Sequence, residues 1–131
     1  MEYIPEDLHR TIKYFYQEGK FPNILIKVYA FQILKALSYL EMNNICHRDI
    51  KPRNILIDLN THILRICDFG SAKRLVKGEA NLAYVCSRYY RAPELELGNQ
   101  FYNSKSDVWS AGAVIAEMAL GTPLFLSESS T

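Results

Sequence analysis

The chain has 131 residues, 49% of them hydrophobic and 22% charged, which suits one small domain with a real core and argues against disorder. Fifteen basic and 14 acidic residues leave a net charge of +1, so nothing in the balance calls for a nucleic-acid or anionic-membrane partner. Three cysteines (Cys46, Cys67 and Cys86), with no Cys-x-x-Cys pair, fit structural thiols in a reducing compartment; the expected location is the cytoplasm, with the nucleus as a second site.

Met1 is followed by Glu2 and Pro5 rather than an apolar run, so no signal peptide is expected. Pro5 can open a first helix, with Glu6 and Asp7 near its positive end; Leu8, Ile12 and Phe15 recur at helical spacing and Gly19 offers a stop. A second helix is predicted from about Asn23 to Asn43. Ile24, Val28, Phe31, Leu34 and Leu37 mark one face, and Ile26, Tyr29, Ile33, Ala36 and Leu40 make most of the rest apolar. A helix apolar nearly all round belongs in a core. Ile45 to Asn54 reads as a loop, because Pro52 and the polar density forbid a regular element. Ile55 to Asp58 and Ile63 to Cys67 read as two short strands of a hairpin. From Gly70 to about Asn103 periodicity is lost, and so long a structureless segment inside a domain is usually functional. Ser104-x-x-Asp107 looks like a capping box, opening a helix that runs to Leu120 and stops at Gly121. Val108 to Leu120 is the most apolar stretch but too short to span a bilayer; its apolar residues, Trp109, Val114 and Ile115 among them, are expected in the core.

The chemistry concentrates in His47-Arg48-Asp49-Ile50-Lys51-Pro52-Arg53-Asn54 and in Asp68-Phe69-Gly70. Asn54 precedes the first predicted strand and Asp68 follows the second, so antiparallel pairing brings them to one end of the hairpin. An amide oxygen and a carboxylate there suit magnesium already bound to phosphate. Asp49 can orient a hydroxyl and accept its proton, and Lys51 can neutralise charge on a transferred phosphoryl group. His47 reads as a structural hydrogen-bonding residue and Cys67 as an apolar filler.

These two motifs, with Ala92-Pro93-Glu94 and Asp107-Val108-Trp109-Ser110 in order behind them, resemble the protein-kinase signature, which is matched here rather than derived. Ile45 to Pro52, Cys67 to Lys73 and Cys86 to Glu94 look like the glycogen synthase kinase-3 family, and Met1 to Glu6 resembles its hinge. The resemblance covers about residues 2 to 125. It implies an α+β, mainly helical fold, the partial C-terminal lobe of a protein kinase with one short β-hairpin, running from the hinge to the helix after the activation segment. It implies a serine/threonine protein kinase that moves the γ-phosphoryl group of ATP to protein Ser or Thr with Mg2+. Asp49 and Lys51 would be catalytic. Tyr3, Ile4, Lys51, Asn54, Leu56 and Asp68 would meet the nucleotide, with Asn54 and Asp68 on the metal. Tyr84 matches an activation-loop phosphosite, with Arg88 and Arg91 near enough in sequence to engage its phosphate. Arg48 and Lys73 match two of three groups that hold a phosphate on a primed substrate; Arg48 as a mere structural cation stays open. The implied partners are protein substrates, pre-phosphorylated ones and scaffold proteins included.

Arg53 stands where the family usually has Gln, and Glu96 where an apolar residue is usual. No Gly-x-Gly-x-x-Gly loop and no Val-Ala-Ile-Lys strand occur. The N-terminal lobe and the last helices of the family fold are therefore expected to be absent, along with the arginine that pairs with Glu94, whose carboxylate would then be buried alone. Little or no transfer is expected of the 131 residues by themselves, and a truncated, non-catalytic kinase-like binding module is the alternative.

Overall fold

The computed structural model describes residues 5–126, so Tyr3 and Ile4 lie outside the described residues. Among the described residues the chain forms two small sheets and four α-helices. Pro5 does not open a helix. Glu6–Asp7 instead forms β1, and α1 spans Leu8–Gln17 with Asp7 as its N-cap, its Oδ1 accepting from Arg10 N at 2.8 Å. α2 spans Asn23–Met42, and β2 (Ile45–Cys46) follows. β3 (Ile55–Ile57) and β4 (Leu64–Ile66) are the predicted hairpin, each shorter than expected, and β1 extends it to three strands in the order β1-β3-β4. The register pairs Glu6 with Ile57, Asp7 with Leu56 and Ile55 with Ile66.

The stretches read as irregular contain short elements. Pro52–Asn54 is a 3-10 turn, and β5 (Lys73–Arg74) pairs antiparallel with β2. Further 3-10 turns sit at Phe69–Ser71 and Arg88–Tyr90, and α3 spans Pro93–Glu96. None has enough residues to show a period, which is why the sequence pattern missed them.

The core lies where α2 packs on α4 (Lys105–Leu120) and on the hairpin. Leu8 and Ile12 of α1, Ile33 and Leu37 of α2, Ile55 and Ile57 of β3, and Val114 and Met118 of α4 are buried there. Each such side chain contributes roughly 1.5–3 kcal/mol relative to an exposed one. A smaller cluster of Cys46, Ala92, Leu95 and Tyr102 holds the segment after Gly70 against β2.

Two expectations about helices fail. α2 is not enclosed: it buries Tyr29, Ile33, Leu37 and Leu40, while Ile24, Phe31 and Leu34 of the face marked in the sequence are exposed. A helix apolar all round gives no periodic preference, so the partners α4 and β4 choose the face. Ser104 is no side-chain cap either; its backbone is already helical and Asp107 turns elsewhere. Val114 is fully buried, but Trp109 lies partly exposed at the surface, its ring stacked on Phe125 at 5.4 Å. Gly121 ends α4 as expected, in a left-handed conformation (φ 86°). Among the described residues no helix is long and apolar enough to cross a membrane.

Candidate active site

The loop from His47 to Asn54 is fixed from below by α4. Asp107, buried in the first turn of that helix, accepts from the backbone nitrogens of His47 at 2.7 Å and Arg48 at 3.0 Å. Arg48 has a left-handed backbone (φ 72°), uncommon for a residue with a Cβ, so these bonds hold the loop in a shape it would not choose alone. Burial raises the pKa of Asp107 and the two donors oppose that rise. His47 adds a second brace: its Nε2 meets Cys67 O at 2.9 Å, and its Nδ1 accepts from Asp49 N at 3.1 Å. The ring thus carries its proton on Nε2 and joins the loop to the residue before Asp68.

These braces present Asp49 beside three groups. Asn54 Nδ2 donates to Asp49 O at 2.8 Å and to Asp49 Oδ2 at 3.2 Å. Lys51 Nζ lies 3.7 Å from the same Oδ2, and Ser87 Oγ donates to Oδ1 at 3.3 Å. Lys51 Nζ also donates to Ser87 Oγ at 3.2 Å, so carboxylate, ammonium and hydroxyl form a closed set. Ser87, which the sequence reading passed over, comes 38 positions after Asp49 and carried no local signal.

Asn54 and Asp68 end up as the hairpin geometry requires. Cys67 N donates to Asn54 O at 2.8 Å, directly beyond the Ile55–Ile66 pair. Asp68 is the next residue, exposed and left-handed (φ 59°), with Oδ1 accepting from Gly70 N at 3.2 Å. A Cβ on Gly70 would sit 3.1 Å from that oxygen, so the glycine keeps room beside the carboxylate. Because Asn54 Nδ2 is spent on Asp49, its Oδ1 is left as an acceptor. Leu56, half-buried, points to the sheet face opposite Ile55 and Ile57.

A family model for the protein kinase domain matches residues 1–131. Glycogen synthase kinase 3 of Trypanosoma brucei brucei is 54% identical over 134 residues, covering 100% of this chain and 38% of that protein. Protein kinase gsk31 of Schizosaccharomyces pombe is 53% identical over 131 residues, covering 99% of this chain and 34% of its own length. The chain belongs to the protein kinase domain family. It spans little more than a third of the length of these relatives.

By the resemblance, the loop just described corresponds to the family's catalytic loop and residues 68–94 to its activation segment. Arg48 and Lys73 are each tied to the segment after Gly70 or to a residue bonded to it. Arg48 Nε donates to Ser71 O at 2.6 Å and its Nη1 to Tyr102 Oη at 3.2 Å, while Tyr102 Oη donates to Leu82 O. Lys73 Nζ donates to Asn81 Oδ1 at 2.6 Å. Lys73 thus reaches Asn81 directly, Arg48 is linked to Leu82 only through the Tyr102 hydroxyl, and both are held by neutral acceptors. Tyr84 is 80% exposed, with the Arg91 guanidinium 4.3 Å from its ring centre. Arg91 also donates to Val85 O, Cys86 O and Glu96 Oε1, so Glu96 is tied by an ion pair rather than loosening the packing. Glu94 is only half-buried, which corrects the expectation of a buried unpaired carboxylate: its side chain keeps contact with solvent.

Proposed function

We propose that the chain carries the phosphoryl-acceptor half of a serine/threonine protein kinase resembling glycogen synthase kinase-3. The observation that supports it most is the joining of Asp49, Lys51, Asn54 and Ser87 into one hydrogen-bonded set, at the hairpin end that also carries Asp68. Asp49 orients the Ser or Thr hydroxyl of a protein substrate and takes its proton as the oxygen attacks the γ-phosphorus of ATP and the bond to the β-phosphate oxygen breaks. Lys51 neutralises the charge that spreads over the phosphoryl oxygens, and Asn54 fixes the Asp49 carboxylate against rotation. Leu56, with Tyr3 and Ile4 beyond the described residues, would line the adenine.

Magnesium fits the donor set: Asn54 Oδ1 and the Asp68 carboxylate are hard oxygens, and a two-ligand site completed by water and phosphate is the usual form. Bound there, the ion would screen the phosphate charges. Arg48 and Lys73, held only by neutral acceptors, are the proposed cradle for a phosphate on a primed substrate, and Tyr84 the proposed phosphosite. Scaffold binding and a cytoplasmic or nuclear location belong to the same proposal. By themselves the 131 residues are proposed to transfer phosphate weakly or not at all.

The test replaces the matching segment of the trypanosome relative with this chain. The chimera should phosphorylate Ser/Thr peptides, and Asp49→Asn should lower its rate about 100-fold or more. A folded chimera with no transfer, or one indifferent to Asp49→Asn, overturns the reading.

A further inference from the structure

A groove of about 410 Å3 runs from the catalytic set to α1. Its lining includes Lys51 and Ser87 of the catalytic set together with His9, Lys13, Arg53 and Glu117. The groove therefore carries three cations against one carboxylate. That carboxylate is already engaged: Glu117 Oε1 accepts from Tyr90 Oη at 2.6 Å, and the residue is 3% exposed. Lys51 is held by Asp49 and Ser87. Arg53 and Lys13 are exposed, and among the described residues neither enters an ion pair. Their charges are concentrated where His9 sits. Burial first, then Arg53 and Lys13, hold the His9 ring below its usual titration range, with Asp7 acting the other way, which favours the neutral ring.

We propose that Arg53 and Lys13 read a carboxylate side chain, Asp or Glu, on the substrate within a few residues of the acceptor hydroxyl. This rests on the reading that Asp49 orients that hydroxyl, because the groove shares Lys51 and Ser87 with the catalytic set and so receives the chain flanking the acceptor. Arg53 sits on the Pro52–Asn54 3-10 turn, two residues after Lys51 and directly before Asn54. Its position is fixed by Pro52 and by Asn54 N donating to Lys51 O at 3.0 Å. Its planar guanidinium can pair with a carboxylate through two parallel bonds. The occupant is a carboxylate peptide because the groove offers two uncommitted cations beside a neutral imidazole, and no described carboxylate answers them.

The test is equilibrium binding of labelled peptides to this chain, without nucleotide, so it does not depend on phosphoryl transfer. Each peptide carries one Ser acceptor and, at one flanking position, Ala, Glu, Lys or phosphoserine. A Glu peptide should bind about threefold to tenfold more tightly than its Ala counterpart, the range that one or two exposed ion pairs support. The preference should shrink in 0.5 M salt as screening sets in. Arg53→Gln should reduce it to about twofold or less, Arg53→Lys should keep part of it, and Arg53→Glu should favour the Lys peptide. Equal binding of Glu and Ala peptides, absence of binding by any of them, or a Glu preference that survives Arg53→Gln overturns the proposal. Preference for phosphoserine alone, with Glu no better than Ala, also overturns it and points to a phosphate site. Loss of transfer in the chimera with the Glu preference intact would fault the kinase reading and not this one.

Discussion

Replacing Asp107 tests how far the catalytic loop depends on α4. The carboxylate is 2% exposed and accepts two backbone N–H groups, at 2.7 and 3.0 Å. Asp107→Ala strands both donors at roughly 1–3 kcal/mol each. Part of that is returned, because a buried carboxylate no longer has to be kept out of water, and the raised pKa of Asp107 shows that cost is real. The net loss should be about 2–4 kcal/mol, a large share of the roughly 5–15 kcal/mol that holds a domain together. Asp107→Asn keeps one acceptor but sets an N–H against an N–H, for a loss of about 1.5–3 kcal/mol. The assay is urea unfolding followed by far-UV circular dichroism, with amide hydrogen exchange read at His47 and Arg48. Both amides should exchange faster in either variant, because the left-handed Arg48 loses its clamp. If Asp107→Asn stays within about 0.5 kcal/mol of the parent and the two amides keep their protection, the clamp is not what holds the loop.

Burial pushes the Cys46 thiol up to about 12 and the Cys86 thiol up to about 11, from an ordinary 9. The native state keeps these protons where the unfolded chain releases them, so stability should hold below pH 9 and fall as pH rises from 9 toward 11. Each thiol contributes a slope of about 1.4 kcal/mol per pH unit, and Cys46→Ala should flatten the fall by that amount in pH-dependent urea titrations; an unchanged slope refutes it. Tyr90→Phe removes the donor to buried Glu117 and should cost about 2–3 kcal/mol, whereas Glu117→Gln, which keeps an acceptor for the Tyr90 hydroxyl, should cost less; equal losses would refute the idea that a neutral acceptor can replace the carboxylate. Gly121→Ala should destabilise by at least about 1 kcal/mol in the same assay. Its φ is 86° and the new Cβ would meet the Tyr16 ring at 3.0–3.1 Å, a ring pinned by its hydroxyl donating to Met118 O at 2.8 Å. A neutral Gly121→Ala would mean that the end of α4 shifts freely.

The hairpin shows what local pattern can carry. Two short runs rich in Ile and Leu around a short turn set the strand pairing, and pairing alone brings Asn54 and Asp68 to one end, so the geometry of these two was legible in the sequence. The catalytic-loop motif likewise placed Asp49, Lys51 and Asn54 within six positions, a distance the chain spans by local turns. What the sequence could not decide depends on partners far along the chain. α2 is apolar on every side, so only its contacts with α4 and the hairpin select Tyr29, Ile33, Leu37 and Leu40 for burial. Asp107 fitted a local capping pattern, yet the fold turns its carboxylate to amides 59 and 60 positions away, because two buried donors outbid one exposed cap. Ser87 lay inside the Cys86–Glu94 match with no role drawn for it, and it reaches Asp49 only once the segment after Gly70 has folded back over the loop. Short-range order fixed which groups share a turn; the packing of distant segments decided which of them face one another, since only a folded chain can exclude water from both partners at once.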